Sequence, residues 1–352
     1  MILRGGRLID PNTRTDSRGD VSINDGTDRV IELDGCWVCP GFIDLHSVVR
    51  DATDVAAAIR GGFTTVVAAP ESANVRSEQL RVLRAAPLTR ALEGVELGEV
   101  PNGTLCLSQG FKPITKAGVL RRALQYSNRT LLMLHAEDPS LTGPGVIGEG
   151  LTATRLGLPA VPVAAEAAII ARDLQILEET GGRLHFAHVT TARGVELIRH
   201  AKAKGLQVTA DVTPHHLTRD TTLAEDYSLA ARVWPPLRSP SDLAALKAGL
   251  VDGTIDAIAC DHVKVDVLDR EHAFEACAPG CEAFEQAVPV AFELGLTPAR
   301  LVEVLSSAPA RLLGLTASLA AGNDARLTVL DPKTRSVRGV VCGRFTTLGG
   351  TP

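Results

Sequence analysis

Aromatic side chains are scarce in this chain, at 3% of 352 residues, so alanine, leucine and valine must fill most of its core. No window approaches the ~20 uninterrupted apolar residues of a membrane span. The opening residues MILRGGRLID lack the apolar stretch of a secretory signal, with Arg4 and Arg7 interrupting early, so a cytoplasmic protein with no membrane association is expected. No run of Lys or Arg forms a basic stripe, and a net charge of −5 with pI near 6.0 argues against a nucleic-acid partner. No glycine-rich dinucleotide fingerprint follows the first strand. The seven cysteines are scattered, and the CxxC of Cys36 and Cys39 has no second CxxC or His pair at zinc-finger spacing, which predicts reduced thiols. Repeats, low-complexity tracts and disordered linkers are missing as well.

What is present is alternation. Residues 1–35 read as short strands separated by turns (MILRGGRLID, DVSIN, RVIELDG), and 322–347 has the same texture in ARLTVLD and VRGVVCGRF. Between them, apolar runs (GFIDLH, FTTVVAAP, GTLCLS, LLMLHAE, RLHFAHV, LQVTADVTP, TIDAIACD) alternate with helical stretches such as AAEAAIIARDLQILEETG and ARGVELIRHAKAKG. Strand–helix units repeated through the middle of the chain predict a parallel α/β fold, and a closed barrel is preferred over an open dinucleotide-binding sheet.

Polar residues able to bind metal stand at or just after the ends of these apolar runs: His46, His135, His188 and Asp261. In a (β/α)8 barrel the C-terminal strand ends converge on one face, so residues far apart in sequence can meet there. Imidazole and carboxylate suit Zn²⁺, which can activate water for hydrolysis. Singly, each histidine is an ordinary hydrogen-bonded strand-end residue and Asp261 an ordinary helix cap; the conjunction of four carries the signal.

The sequence resembles the cyclic amidohydrolases, and the dihydroorotases in particular, in VCPGFIDLH, LLMLHAEDPSL, the 33 residues from His185 to Leu217, WPPLRSPSDLAALKAGLVDGTIDAIACDH, SSAPARLLGL and GNDARLTVLDP. The resemblance implies an amidohydrolase-type (β/α)8 TIM barrel over 41–317, with a small β-sandwich built from both termini, 1–40 and 318–352. It implies zinc ligands at His46, His135, His188 and Asp261, with Asp261 also the catalytic base and acid, and Arg50 as the substrate-carboxylate contact. The family opens dihydroorotate, or forms it from carbamoyl aspartate, at one or two zinc ions.

The departures from that pattern matter as much. Val48 replaces the second His of an HxH pair. LSQGFKP replaces the segment carrying the bridging carboxylate, leaving Gln109 or Gly110 there. Glu71 and Trp234 stand where the resemblance implies Asn, Val265 where it implies His, and Arg326 where an Asp is usual. The expectation is no cofactor or a single Zn, a binuclear centre being disfavoured because paired ions need anionic ligands. Lys264 is a candidate to add positive charge nearby. Trp234 and Val265 are expected to pack, and His215, His216 and His262 to be structural. The family context adds an oligomer associated with aspartate carbamoyltransferase, and a catalytically inactive, structural role. The alternative is an active mononuclear zinc amidohydrolase opening another cyclic amide or ureide.

Overall fold

The computed structural model of the chain describes residues 1–127 and 130–348. The chain divides into two compact units, one of Met1–Ala68, Ser72–Leu83 and the segment from Ala283 onward, the other of Ala69–Glu71 and Arg84–Glu282.

In the first unit both ends of the chain share a mixed sheet. Ile2–Asp10 pairs antiparallel with Thr15–Ser22 and parallel with Val30–Glu32 and Trp37–Pro40. Trp37–Pro40 in turn pairs antiparallel with Arg326–Asp331, and the sheet continues through Ser336–Cys342 to Phe345–Thr346. Period-two alternation turns Leu3, Val38, Leu327, Val329 and Val341 into one buried cluster. Arg326 pairs with Asp324 and donates to the Thr64 carbonyl at 3.0 Å, so it links this sheet to strand Phe63–Ala68.

That strand lies parallel to Phe42–Ser47 across helix Ala52–Arg60, which Asp51 caps by accepting from the N–H groups of Thr53 and Asp54. Every residue of both strands is buried, the pattern of strands covered on both faces. All seven cysteines are buried as well. Burial pushes the Cys39 thiol far up and that of Cys106 to about 12, so neither readily becomes the thiolate that zinc would need.

The second unit carries six parallel strands in the order Ala257–Ile258, Val208–Val212, Leu184–Ala187, Leu131–His135, Cys106–Ser108, Ala86–Pro87. Because all run the same way, their C-terminal ends share one edge. The intervening helices include Ala117–Tyr126, Ala164–Thr180, Ala192–Ala203 and Pro240–Asp252. Their starts follow from local chemistry: Thr191 caps one, and Ser239 with Asp242 forms a capping box on another. Glu166, buried in Ala164–Thr180, accepts from the N–H and hydroxyl groups of Thr190 and Thr191 at 2.5 to 3.0 Å. That carboxylate fastens a helix to the segment just past His188.

Candidate functional site

The strand ends of the second unit concentrate buried polar groups. His135 closes its strand, His188 follows Ala187 directly, and Asp261 comes three residues after Ile258. His188 and Asp261 both hold left-handed backbone, with φ of 57° and 49°, a conformation that costs a non-glycine residue about 1 kcal/mol or more. Both are buried, and His188 Nε2 stands 3.6 Å from Asp261 Oδ1.

Asp211, on the neighbouring strand, organises this pair. Its Oδ1 accepts from the His188 backbone N–H at 2.7 Å and lies 3.3 Å from His188 Nδ1. Its Oδ2 is 2.8 Å from His185 Nε2, and His185 Nδ1 is 2.9 Å from Thr209 Oγ1. A buried polar chain thus runs Thr209, His185, Asp211, His188, Asp261. Burial alone would raise the Asp211 carboxyl, but His188 and His185 outweigh it and hold the group well below the usual carboxylate range. Sequence reasoning missed Asp211 and His185. The available signal was an acid and a histidine inside apolar runs, where an ionisable side chain needs a partner.

His135 is engaged with Glu137. Its Nε2 is 2.8 Å from Glu137 Oε2, an oxygen that also accepts from Trp234 Nε1 at 3.1 Å. Burial pushes the Glu137 carboxyl up, yet hydrogen bonds with His135, Thr142 and Trp234 bring it below its ordinary value. In the other unit, His46 is buried in strand Phe42–Ser47. Arg50 lies just beyond that strand, with its Nε 3.7 Å from Asp54 Oδ2 and its backbone N–H donating to the same oxygen at 2.8 Å.

The segment expected to carry a bridging carboxylate is built differently. Gly110 holds φ of 64°, and a Cβ placed on it would stand 1.7 Å from Glu71 Oε1. The same Glu71 oxygen accepts from the Phe111 backbone N–H at 3.1 Å. Glu71 therefore fills the space of a side chain at position 110. Gln109 is uncharged, and its Oε1 accepts from the Thr89 hydroxyl at 2.8 Å. Neither position offers an anionic bridge, and the residues do not fit a pair of ions. For one ion the fit is better. Two donors about 2.1 Å from a tetrahedral zinc stand roughly 3.4 Å apart, close to what His188 and Asp261 present.

Beside Asp261 lies a cavity of about 180 Å³, lined by His215, Trp234, Phe111 and Val263 among others. Trp234, expected only to pack, forms a wall of this space. Val265 does pack, crowding Gly280, where a Cβ would meet its side chain at 2.5 Å. His216 is structural, with Nδ1 2.7 Å from Thr213 Oγ1 and Nε2 3.0 Å from the Pro235 carbonyl; burial pushes it down to about 3. His215 is different. Fully buried, it has no hydrogen-bond partner at either ring nitrogen among the described residues, and burial, then His216, hold it well below its ordinary value.

Parallel strands with functional groups gathered at their C-terminal ends define a class, and the comparisons agree on it. The chain belongs to the amidohydrolase family, whose sequence pattern matches residues 37–344. A dihydroorotase of Anaeromyxobacter dehalogenans (strain 2CP-C) is 40% identical, covering 94% of this chain and 88% of its own length. One from Syntrophobacter fumaroxidans is 36% identical with the same coverage of both. Among solved structures, a D-hydantoinase superposes with a TM-score of 0.80 at 20% identity over 99% of this chain and 95% of its own. The dihydropyrimidinase of Brevibacillus agri NCHU1002 gives 0.78 at 21%, covering 94% of this chain and 86% of that one. The fold is thus the amidohydrolase-type (β/α)8 barrel with an added sheet of terminal strands. Among the described residues no helix is long and apolar enough to cross a membrane.

Proposed function

We propose that this chain is a dihydroorotase-family protein of pyrimidine biosynthesis that no longer hydrolyses dihydroorotate and serves, in the cytoplasm, as a structural partner of aspartate carbamoyltransferase. The observation that carries the reading is the filled space at Gly110: a glycine of left-handed φ lies under the Glu71 carboxylate, where the resemblance calls for a bridging acid. Val48 removes a further ligand from the set. Arg50, the remaining substrate contact, is beside Asp54. What is left of the metal set is His46, His135, His188 and Asp261, and the cofactor is none or one Zn. The barrel is assigned to 41–317, with 1–40 and 318–352 as the terminal domain. Elemental analysis of the purified chain, with dihydroorotate turnover measured under added Zn²⁺, tests the reading. Substoichiometric zinc and no turnover are expected; a full complement of metal with robust turnover overturns it.

A second reading is favoured by the 3.6 Å approach of His188 and Asp261 on costly backbone. Here the chain is a mononuclear amidohydrolase acting on another cyclic amide or ureide. Zinc, when bound, would supply Lewis acidity; Asp261 would take the proton of the attacking water and pass it to the leaving nitrogen. Hydrolysis within a panel of hydantoins, imides and ureides, abolished by Asp261→Asn, would favour it over the first reading.

A further inference from the structure

The cavity beside Asp261 has a chemistry of its own. Its volume, about 180 Å³, is that of a space able to hold a single ring, since apolar cavities near 150 Å³ bind benzene. Phe111, Val233, Trp234 and Val263 give it apolar walls, and no Lys or Arg lines it. The indole N–H of Trp234 is taken by Glu137, so that residue can offer the cavity only its carbon surface. Two polar side chains remain, Asp261 and His215.

His215 is the feature that needs an explanation. A buried polar group without a partner is costly, commonly by about 1 to 3 kcal/mol, and native proteins carry few. This imidazole is 1% exposed, lines the cavity and lacks a hydrogen-bond partner at both nitrogens. Neutral, it presents one N–H and one lone pair, a match for a ligand amide or hydroxyl. An anionic ligand would meet the Asp261 carboxylate and find no cation on the walls.

We propose that this cavity binds an uncharged single-ring molecule carrying one polar group, with the apolar walls holding the ring and His215 hydrogen-bonding the polar group. The proposal rests on the reading that the site has left dihydroorotate behind, and it gives that site a ligand class opposite in charge character to a carboxylate substrate. The same ring can be offered in three forms: benzamide is uncharged and polar, benzoate is charged, and toluene has no polar group.

The test is calorimetric titration of the full chain, treated with EDTA to remove metal, with each of the three. Benzamide is expected to bind at least about tenfold more tightly than benzoate. His215→Phe should weaken benzamide by about tenfold, the loss of one buried hydrogen bond, while leaving toluene binding within about twofold. Benzoate binding as tightly as benzamide overturns the proposal, as does no binding of any of the three at millimolar concentration. An unchanged benzamide affinity in a folded His215→Phe variant overturns the role of the histidine. Should that variant not fold, the benzamide-to-benzoate ratio on the unaltered chain decides alone. Because these titrations use metal-free protein and no turnover, their failure is separable from that of the functional reading, which stands on zinc content and hydrolysis.

Discussion

At position 110 two departures from the family pattern are one physical event. An L-residue there meets both a left-handed backbone and the Glu71 carboxylate, at 1.7 Å from its Cβ. Gly110→Asp should therefore destabilise the chain by about 1 to 3 kcal/mol and lower Tm by several degrees. Adding Glu71→Ala should return part of that loss, a coupling of about 1 kcal/mol or more in a double-mutant cycle followed by urea unfolding. Additive effects would mean the two residues are independent. His216 yields a pH-dependent prediction. Buried and held to about 3, it refuses a proton that the unfolded chain accepts near 6.5, so its contribution to stability is present above that value and lost as pH falls toward 3. His216→Gln should lower Tm at neutral pH yet flatten the fall between pH 7 and 5 by a few degrees. Scanning calorimetry at several pH values would read this, and an unchanged slope would count against it. The sequence made His188 and Asp261 legible as strand-end residues. It could not reveal that Glu71 folds over Gly110, because that contact joins segments 39 positions apart through a loop no periodicity describes.

The element scale was the most readable. Helices Ala164–Thr180 and Ala192–Ala203 fall where apolar residues recur at three- and four-residue spacing, since a helix must turn one face inward. The strands were read as buried runs, and Leu131–His135 and Leu184–Ala187 are buried throughout. What periodicity does not report is how elements are fastened to one another. Glu166 is an example, an acid on a helix whose oxygens serve four donors of Thr190 and Thr191. Thr191 is also the cap of the following helix, so one carboxylate fixes both the helix start and the loop past His188. Glu166→Ala should cost about 3 kcal/mol or more, since four buried donors lose their acceptor together. Denaturant unfolding gives the value. Glu166→Gln should be milder, because it keeps one acceptor oxygen, and a loss below about 1 kcal/mol in the alanine variant would mean that the loop repacks without the acid.

For the molecule as a whole, the class of fold was legible because strand–helix alternation and the ordered matches to the dihydroorotases ran through nearly the whole chain. Activity was not, because it depends on a few atoms at strand ends and on what stands beside them. The proposed role predicts behaviour in a mixture: combined with the aspartate carbamoyltransferase of the same organism, the chain should elute as one larger species on sizing. Two separate peaks at micromolar concentration would remove that partner. The Gly110–Glu71 contact also has a historical consequence. While the glutamate stands, regaining an acid at 110 passes through a less stable protein, and removing the glutamate first leaves that position still glycine. Neither order gives an immediate advantage, so the contact works as an epistatic ratchet that keeps a lost bridging ligand from returning by single steps.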